Sequence, residues 1–280
     1  MATRPIPTLT STAEFDAKAG KPCYTWYEVY GDLKSGITPV IVLHGARQRR
    51  LDAPPEKTGE QASFWTQELF VDELDNLIRH LGIQDNYSIL GQSWGGMLAA
   101  LHAVKQPKGL KRLVLANSPA SIQMFVKIAY EKLVPGLPSD IAETILKHEK
   151  EGTTSAKEYQ DAMTVFYKRH LCRVDPYPEE LQQSFAADPD SVVYHAMNGP
   201  SEFHITGPIK DFDITQQAHK INVPTLLISG RYDEVDEASV APYFKTIPQV
   251  KWITFAESSH TPHMEERERY MRVVSDFFKA

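Results

Sequence analysis

The sequence predicts an α/β fold in which a mostly parallel β-sheet is flanked by helices and carries an inserted helical cap. Three observations predict it. Short runs of β-branched and aromatic residues alternate with segments of helical period in both the N-terminal and the C-terminal portions, as in a parallel sheet whose strands are joined by helices. The stretch of residues 119–213 lacks such runs and reads as polar, helix-rich sequence. A chain of 280 residues is also long for one compact lobe, which favours a single domain with an insertion over two independent domains. The expected division is a core of residues 1–118 and 214–280 and a cap of residues 119–213.

The strand-like runs are, in order, residues 24–29, 39–43, 87–90, 110–115, 225–229 and 250–255. Between the second and third, Phe70, Leu74, Leu77, Ile78 and Leu81 recur at helical spacing, with Asp72, Glu73, Asp75 and Arg79 on the other positions. That pattern predicts an amphipathic helix ended by Gly82 and packed on the sheet. Within the cap, residues 139–150 and 155–173 read as helices. There is no internal repeat and no low-complexity block.

Composition narrows the function. A net charge of −6 and a pI near 5.9 leave no basic field of the kind that a phosphate backbone rewards, so nucleic acid is not an expected partner. Arg47, Arg49 and Arg50 are the one concentration of positive charge and read as a solvated loop. Cys23 and Cys172 are too few for a disulfide framework, and neither has a spacing suited to zinc or redox chemistry. The first residues lack a signal-peptide core, and no apolar stretch approaches the ~20 residues that a bilayer requires. A cytoplasmic protein without membrane contact is expected. No pattern sets an oligomeric state.

Residues 88–100, SILGQSWGGMLAA, put Gly91, Ser93 and Gly95 in a G-x-S-x-G frame between a strand and a helix. Glycines two before and two after the serine permit a tight strand-to-helix turn with the hydroxyl exposed at the helix N-terminus. The Trp94 amide then faces a developing oxyanion. The alternative is a glycine-rich turn whose serine merely caps the helix.

A serine hydroxyl needs a histidine to take its proton and a carboxylate to orient that histidine. PTLLISGRYDE places Asp233 just past one strand, and FAESSH places His260 just past the next. Asp236 and His263 compete, each three residues farther on, but neither holds the same position after its strand. The order serine, acid, histidine after three separate strands selects Ser93, Asp233 and His260. No metal or organic cofactor is implied.

GQSWGG, SGRYDE and SSHTPHMEE, with NGPSEFHITG in the cap, resemble the proline iminopeptidases, serine aminopeptidases of the α/β-hydrolase fold. The resemblance runs from about residue 25 to the C-terminus, and it implies the same three catalytic residues. It also implies that Glu202 and Glu234 bind the free amine of a small peptide or amino-acid amide, since paired carboxylates in a partly desolvated site favour an ammonium group. Two solvated surface glutamates are the plainer alternative. A carboxylesterase or amidase on the same scaffold and a non-catalytic binding homologue remain the rival functions.

One segment departs from the family pattern. Where relatives carry His-Gly-Gly-Pro-Gly after the third strand, this chain reads HGARQRR, keeping only His44 and Gly45. About 25 to 35 residues, including a central strand and a helix, are expected to be missing after Gly45. The Ala46 amide is the local substitute for the second oxyanion donor, the first being Trp94.

Overall fold

The computed structural model describes residues 5–20, 22–45, 64–186 and 192–280. The chain begins with β1 (Leu9–Phe15), β2 (Cys23–Val29) and β3 (Val40–Leu43), followed by α1 (Gln67–His80), β4 (Tyr87–Gln92), α2 (Trp94–Ala103) and β5 (Leu110–Ala116). A helical stretch follows, made of α3 (Ile122–Ile128), α4 (Ser139–Glu151), α5 (Lys157–His170), α6 (Glu179–Ala186) and α7 (Val192–Met197). The chain closes with β6 (Thr225–Gly230), α8 (Glu237–Thr246), β7 (Val250–Phe255), α9 (Pro262–Glu265) and α10 (Arg267–Lys279).

Strands β3, β4, β5, β6 and β7 form one wholly parallel sheet in that order. Its interior strands are buried on both faces, which is why they read in the sequence as continuous apolar runs. Successive side chains then divide between two cores. Ile89, Leu113, Leu115 and Leu227 face α1, α2 and α8, whereas Leu90, Val114, Leu226 and Ile228 face Tyr270 and Val274 of α10.

Helix α1 matches its sequence signals. Thr66 caps it by accepting from Leu69 N at 3.1 Å, Val71, Leu74 and Ile78 bury its apolar stripe, and Gly82 leaves it with φ +67°. This helix carries the antiparallel ribbon of β1 and β2. Thr25 Oγ1 donates to Glu73 Oε1 at 2.6 Å, Asn76 Nδ2 donates to the Glu14 carbonyl at 2.8 Å, and Phe15 and Cys23 are buried near Phe64 and Leu69.

Strand β1 is absent from the sequence reading because LTSTAEF has only Leu9, Ala13 and Phe15 as apolar positions. Among the described residues no strand stands between this ribbon and β3, and residues 46–63, where the sequence is expected to be shortened, lie outside the described residues. Among the described residues β3 stands at one end of the sheet order, a strand of four residues whose Val42 is 67% exposed.

Between β5 and β6 the described chain is helical, with turns and one isolated bridge from Ser121 to Asp213 joining the two ends of the stretch. Helices α4 and α5 agree closely with the expected segments. No helix among the described residues is long and apolar enough to cross a membrane.

Candidate active site

The turn from β4 into α2 is built by its glycines. A Cβ at Gly91 would lie 2.2 Å from the Gly95 carbonyl oxygen, and one at Gly95 would lie 2.3 Å from the Leu43 oxygen. Only hydrogen fits at either point. Ser93, between them, adopts φ 55° and ψ −120°, a conformation that costs a non-glycine residue roughly 1 to 3 kcal/mol. Its amide is anchored to the Ala116 carbonyl at 2.9 Å. Trp94 is the first residue of α2, so its amide has no carbonyl within the helix to bond. Gly45 stands close by, the position of a Cβ there being 3.5 Å from Ser93 Cβ.

Asp233 and His260 occupy the loops that leave the C-terminal ends of β6 and β7, and both are buried. Asp233 Oδ1 lies 2.7 Å from His260 Nδ1 and also accepts from the Val235 amide at 2.9 Å. Its Oδ2 accepts from Asn117 Nδ2 at 2.6 Å. Donors on both oxygens aim the carboxylate at Nδ1 and leave Nε2 as the ring nitrogen open to a further partner. The backbone is clamped as well: the amides of Glu234 and His260 donate to one acceptor, the His170 carbonyl, at 3.1 and 3.2 Å. Gln92 Nε2 donates to the His260 carbonyl at 3.2 Å, and Glu265 accepts from the Ser259 amide and hydroxyl, both at 2.8 Å.

Glu234 is buried with its Oε1 3.6 Å from His260 Nε2. Burial works to lower the pKa of His260, but Asp233, Glu234 and the more distant Glu202 together outweigh it and raise it to about 9. Among the described residues the Ser93 hydroxyl makes no hydrogen bond to this ring; Nε2 faces Glu234 instead. Such contacts are often loose in free enzymes and tighten when substrate binds.

Glu202 sits in a loop closed at its base, where the Asn198 carbonyl accepts from the amides of Thr206 and Gly207 at 2.9 and 3.0 Å. Tyr194 Oη donates to Glu202 Oε2 at 2.6 Å. Beneath the loop, Glu149 Oε1 accepts from Tyr159 Oη at 2.5 Å and from Ser201 Oγ at 2.7 Å, and Ser201 Oγ in turn accepts from the His204 amide at 2.9 Å. Burial, with Glu149 beside it, raises the pKa of Tyr159.

The structure thus brings Asp233, His260 and Glu234 into contact and sets Glu202 within electrostatic reach of His260. Ala46 and the arginines Arg47, Arg49 and Arg50 lie outside the described residues. The competitor Asp236 is engaged elsewhere, capping α8 through the Ala238 amide at 2.9 Å and pairing with Lys132. His263 is held near pKa 4, chiefly by burial and then by His260 and Arg267. Sequence reasoning missed Asn117, His170, Glu265 and Glu149. Asn117 had a signal, since it directly follows a strand end as Ser93 does; His170 and Glu149 act through partners far along the chain, and Glu265 through Ser259, in the same loop as His260. Among the described residues no group of His, Cys, Asp or Glu is arranged to hold a metal ion.

Residues 52–267 match the family described as the alpha/beta hydrolase fold. The chain is 33% identical over 270 residues to a proline iminopeptidase of Heyndrickxia coagulans, a match covering 89% of this chain and 93% of the relative. The crystal structure of VinJ superimposes with a TM-score of 0.90 at 38% identity, over 98% of this chain and 99% of that one. The proline iminopeptidase of Mycobacterium smegmatis superimposes with a TM-score of 0.85 at 32% identity, over 97% and 98% of the two chains.

Proposed function

The chain belongs to the proline iminopeptidase family of α/β-hydrolases, and from that premise we propose that it is a serine aminopeptidase releasing one N-terminal residue, proline or another small apolar amino acid, from a short peptide or amino-acid amide. The observation that carries this reading is the pairing of a buried Asp233–His260 couple with a second carboxylate, Glu234, at the reactive nitrogen. An esterase has no use for that carboxylate, whereas an aminopeptidase needs an anionic site for the ammonium of its substrate.

In this mechanism Ser93 Oγ attacks the scissile carbonyl while His260 Nε2 takes its proton. The Trp94 amide, with Ala46 as the second donor expected from the sequence, holds the oxyanion. Asp233 stabilises the imidazolium through Nδ1, and Nε2–H then protonates the departing amine. Water, deprotonated by the same nitrogen, releases the acyl group. Glu202 and Glu234 fix the N-terminal ammonium and so set the cut one residue from the chain end. Residues 119–213 act as the cap that supplies Glu202. The buried thiols Cys23 and Cys172 fit a reducing, cytoplasmic setting.

A panel of aminoacyl fluorogenic amides, proline included, assayed beside N-acetylated counterparts and a Ser93→Ala control, tests the proposal. Hydrolysis confined to free-amine substrates and abolished in the control is expected. Equal cleavage of acetylated substrates would replace the aminopeptidase with an esterase or amidase. A folded chain that neither turns over nor reacts at Ser93 with a fluorophosphonate would be a binding homologue.

A further inference from the structure

His260 has one nitrogen to offer Ser93, because Nδ1 is committed to Asp233 at 2.7 Å. That remaining nitrogen, Nε2, lies 3.6 Å from Glu234 Oε1 inside the protein. Among the described residues the groups that face the ring come from four elements. Asp233 and Glu234 stand on the loop after β6, Glu202 on the loop after α7, His263 on α9, and His170 at the end of α5 offers its carbonyl to the His260 amide. Burial lowers the pKa of both His170 and His263, so neither opposes the three carboxylates as a cation at neutral pH. An imidazole surrounded in this way holds a second proton. An imidazolium carries N–H on both nitrogens and has no lone pair with which to accept the proton of Ser93.

We propose that Glu234 makes catalysis conditional on the substrate's own ammonium group: in the empty site it holds the His260 ring protonated through Nε2, and the incoming ammonium, by taking Glu234, frees Nε2 to serve Ser93. The inference rests on the reading of Glu202 and Glu234 as the amine site. Charge balances across the step, since one cation enters as the substrate's ammonium and one leaves as the Nε2 proton, released to solvent. The ring then stands neutral, with its Nε2 lone pair toward Ser93. A substrate with a blocked amine, or an ester with none, cannot displace the pair, so it meets an enzyme whose base is already protonated. Discrimination against such substrates therefore falls on kcat as well as on KM. By linkage, the same coupling makes amine binding release a proton.

The test compares wild type with Glu234→Gln on two substrates, a proline fluorogenic amide and the amine-free ester p-nitrophenyl acetate. The variant is expected to lose at least about tenfold in kcat/KM on the amide while hydrolysing the ester faster at pH 7, by about tenfold for each pH unit that the ester's pH–rate midpoint falls. Loss on the amide with the ester rate and midpoint unchanged would overturn the gate and leave the amine site standing. An unchanged amide rate would overturn the amine site and the gate with it. Calorimetry of pyrrolidinium binding to wild type, in two buffers of different ionisation enthalpy at pH 7.5, tests the same point without a variant. Release of nearly one proton is expected. Binding without proton release overturns the gate, and no binding overturns the amine site.

Discussion

Asn117 Nδ2 donates to Asp233 Oδ2 at 2.6 Å, and the same amide lies 3.3 Å from the Ser259 carbonyl. Asn117 thus ties Asp233 to the loop that carries His260, from a buried position with φ 51°. Asn117→Gly removes the donor while keeping that backbone conformation accessible. It leaves a buried carboxylate oxygen without its donor, at a cost of ~1 to 3 kcal/mol. The expected result is a lower melting temperature and a fall in kcat that exceeds any change in KM, measured on the proline amide.

The raised pKa of His260, about 9, fixes the sign of the rate profile in the free enzyme. Because kcat/KM reports free-enzyme ionisations, it should climb with pH toward a limb near that value rather than near 6.5. Replacing Asp233 with Asn removes the first of the raising carboxylates. A residual limb at lower pH and a rate lower by several orders of magnitude are expected from a stopped-flow profile.

Glu73 lies beneath the β1–β2 ribbon, and burial raises its pKa to about 7, against a smaller lowering by the Thr25 hydroxyl. An acid raised in the folded state holds its proton longer there than in the unfolded chain. Its ionisation therefore withdraws stability as the pH rises from about 4.5 through 7. Glu73→Gln keeps the Thr25 contact and removes the titration. It should leave stability unchanged at pH 4.5 and raise it at pH 8 by on the order of 1 to 3 kcal/mol, read from urea unfolding at both values.

Glu149 is separated from Ser201 by 52 residues and bonds to it at 2.7 Å, under the loop that presents Glu202. Glu149→Ala strips acceptors from two buried hydroxyls and loosens that loop. KM for free-amine substrates should rise several-fold, while the rate on p-nitrophenyl acetate changes little. Glu149→Gln, which retains an acceptor oxygen, should restore most of the loss.

The strain at Ser93 opposes stability. Ser93→Gly and Ser93→Ala should both be inactive, but glycine tolerates φ 55° where alanine does not. Thermal melts should place the glycine variant above the alanine variant by ~1 kcal/mol or more.

The sequence by itself determined the features whose causes lie within a few residues. The apolar runs of β4, β5 and β6 report two-sided burial, the stripe from Phe70 to Leu81 reports α1, and the spacing of Gly91, Ser93 and Gly95 reports a turn too tight for a Cβ. Asp233 and His260 were legible because each follows a strand end, and strand ends of a parallel sheet meet at one edge. Only the tertiary structure decided which way the His260 ring faces, that Asn117 and His170 brace the two loops, that Glu149 supports the Glu202 loop, and that α1 carries the β1–β2 ribbon. Backbone preference is set by neighbours in the chain. A buried carboxylate 3.6 Å from a ring nitrogen, or a carbonyl shared by two distant amides, depends on segments that touch only after the whole core has closed.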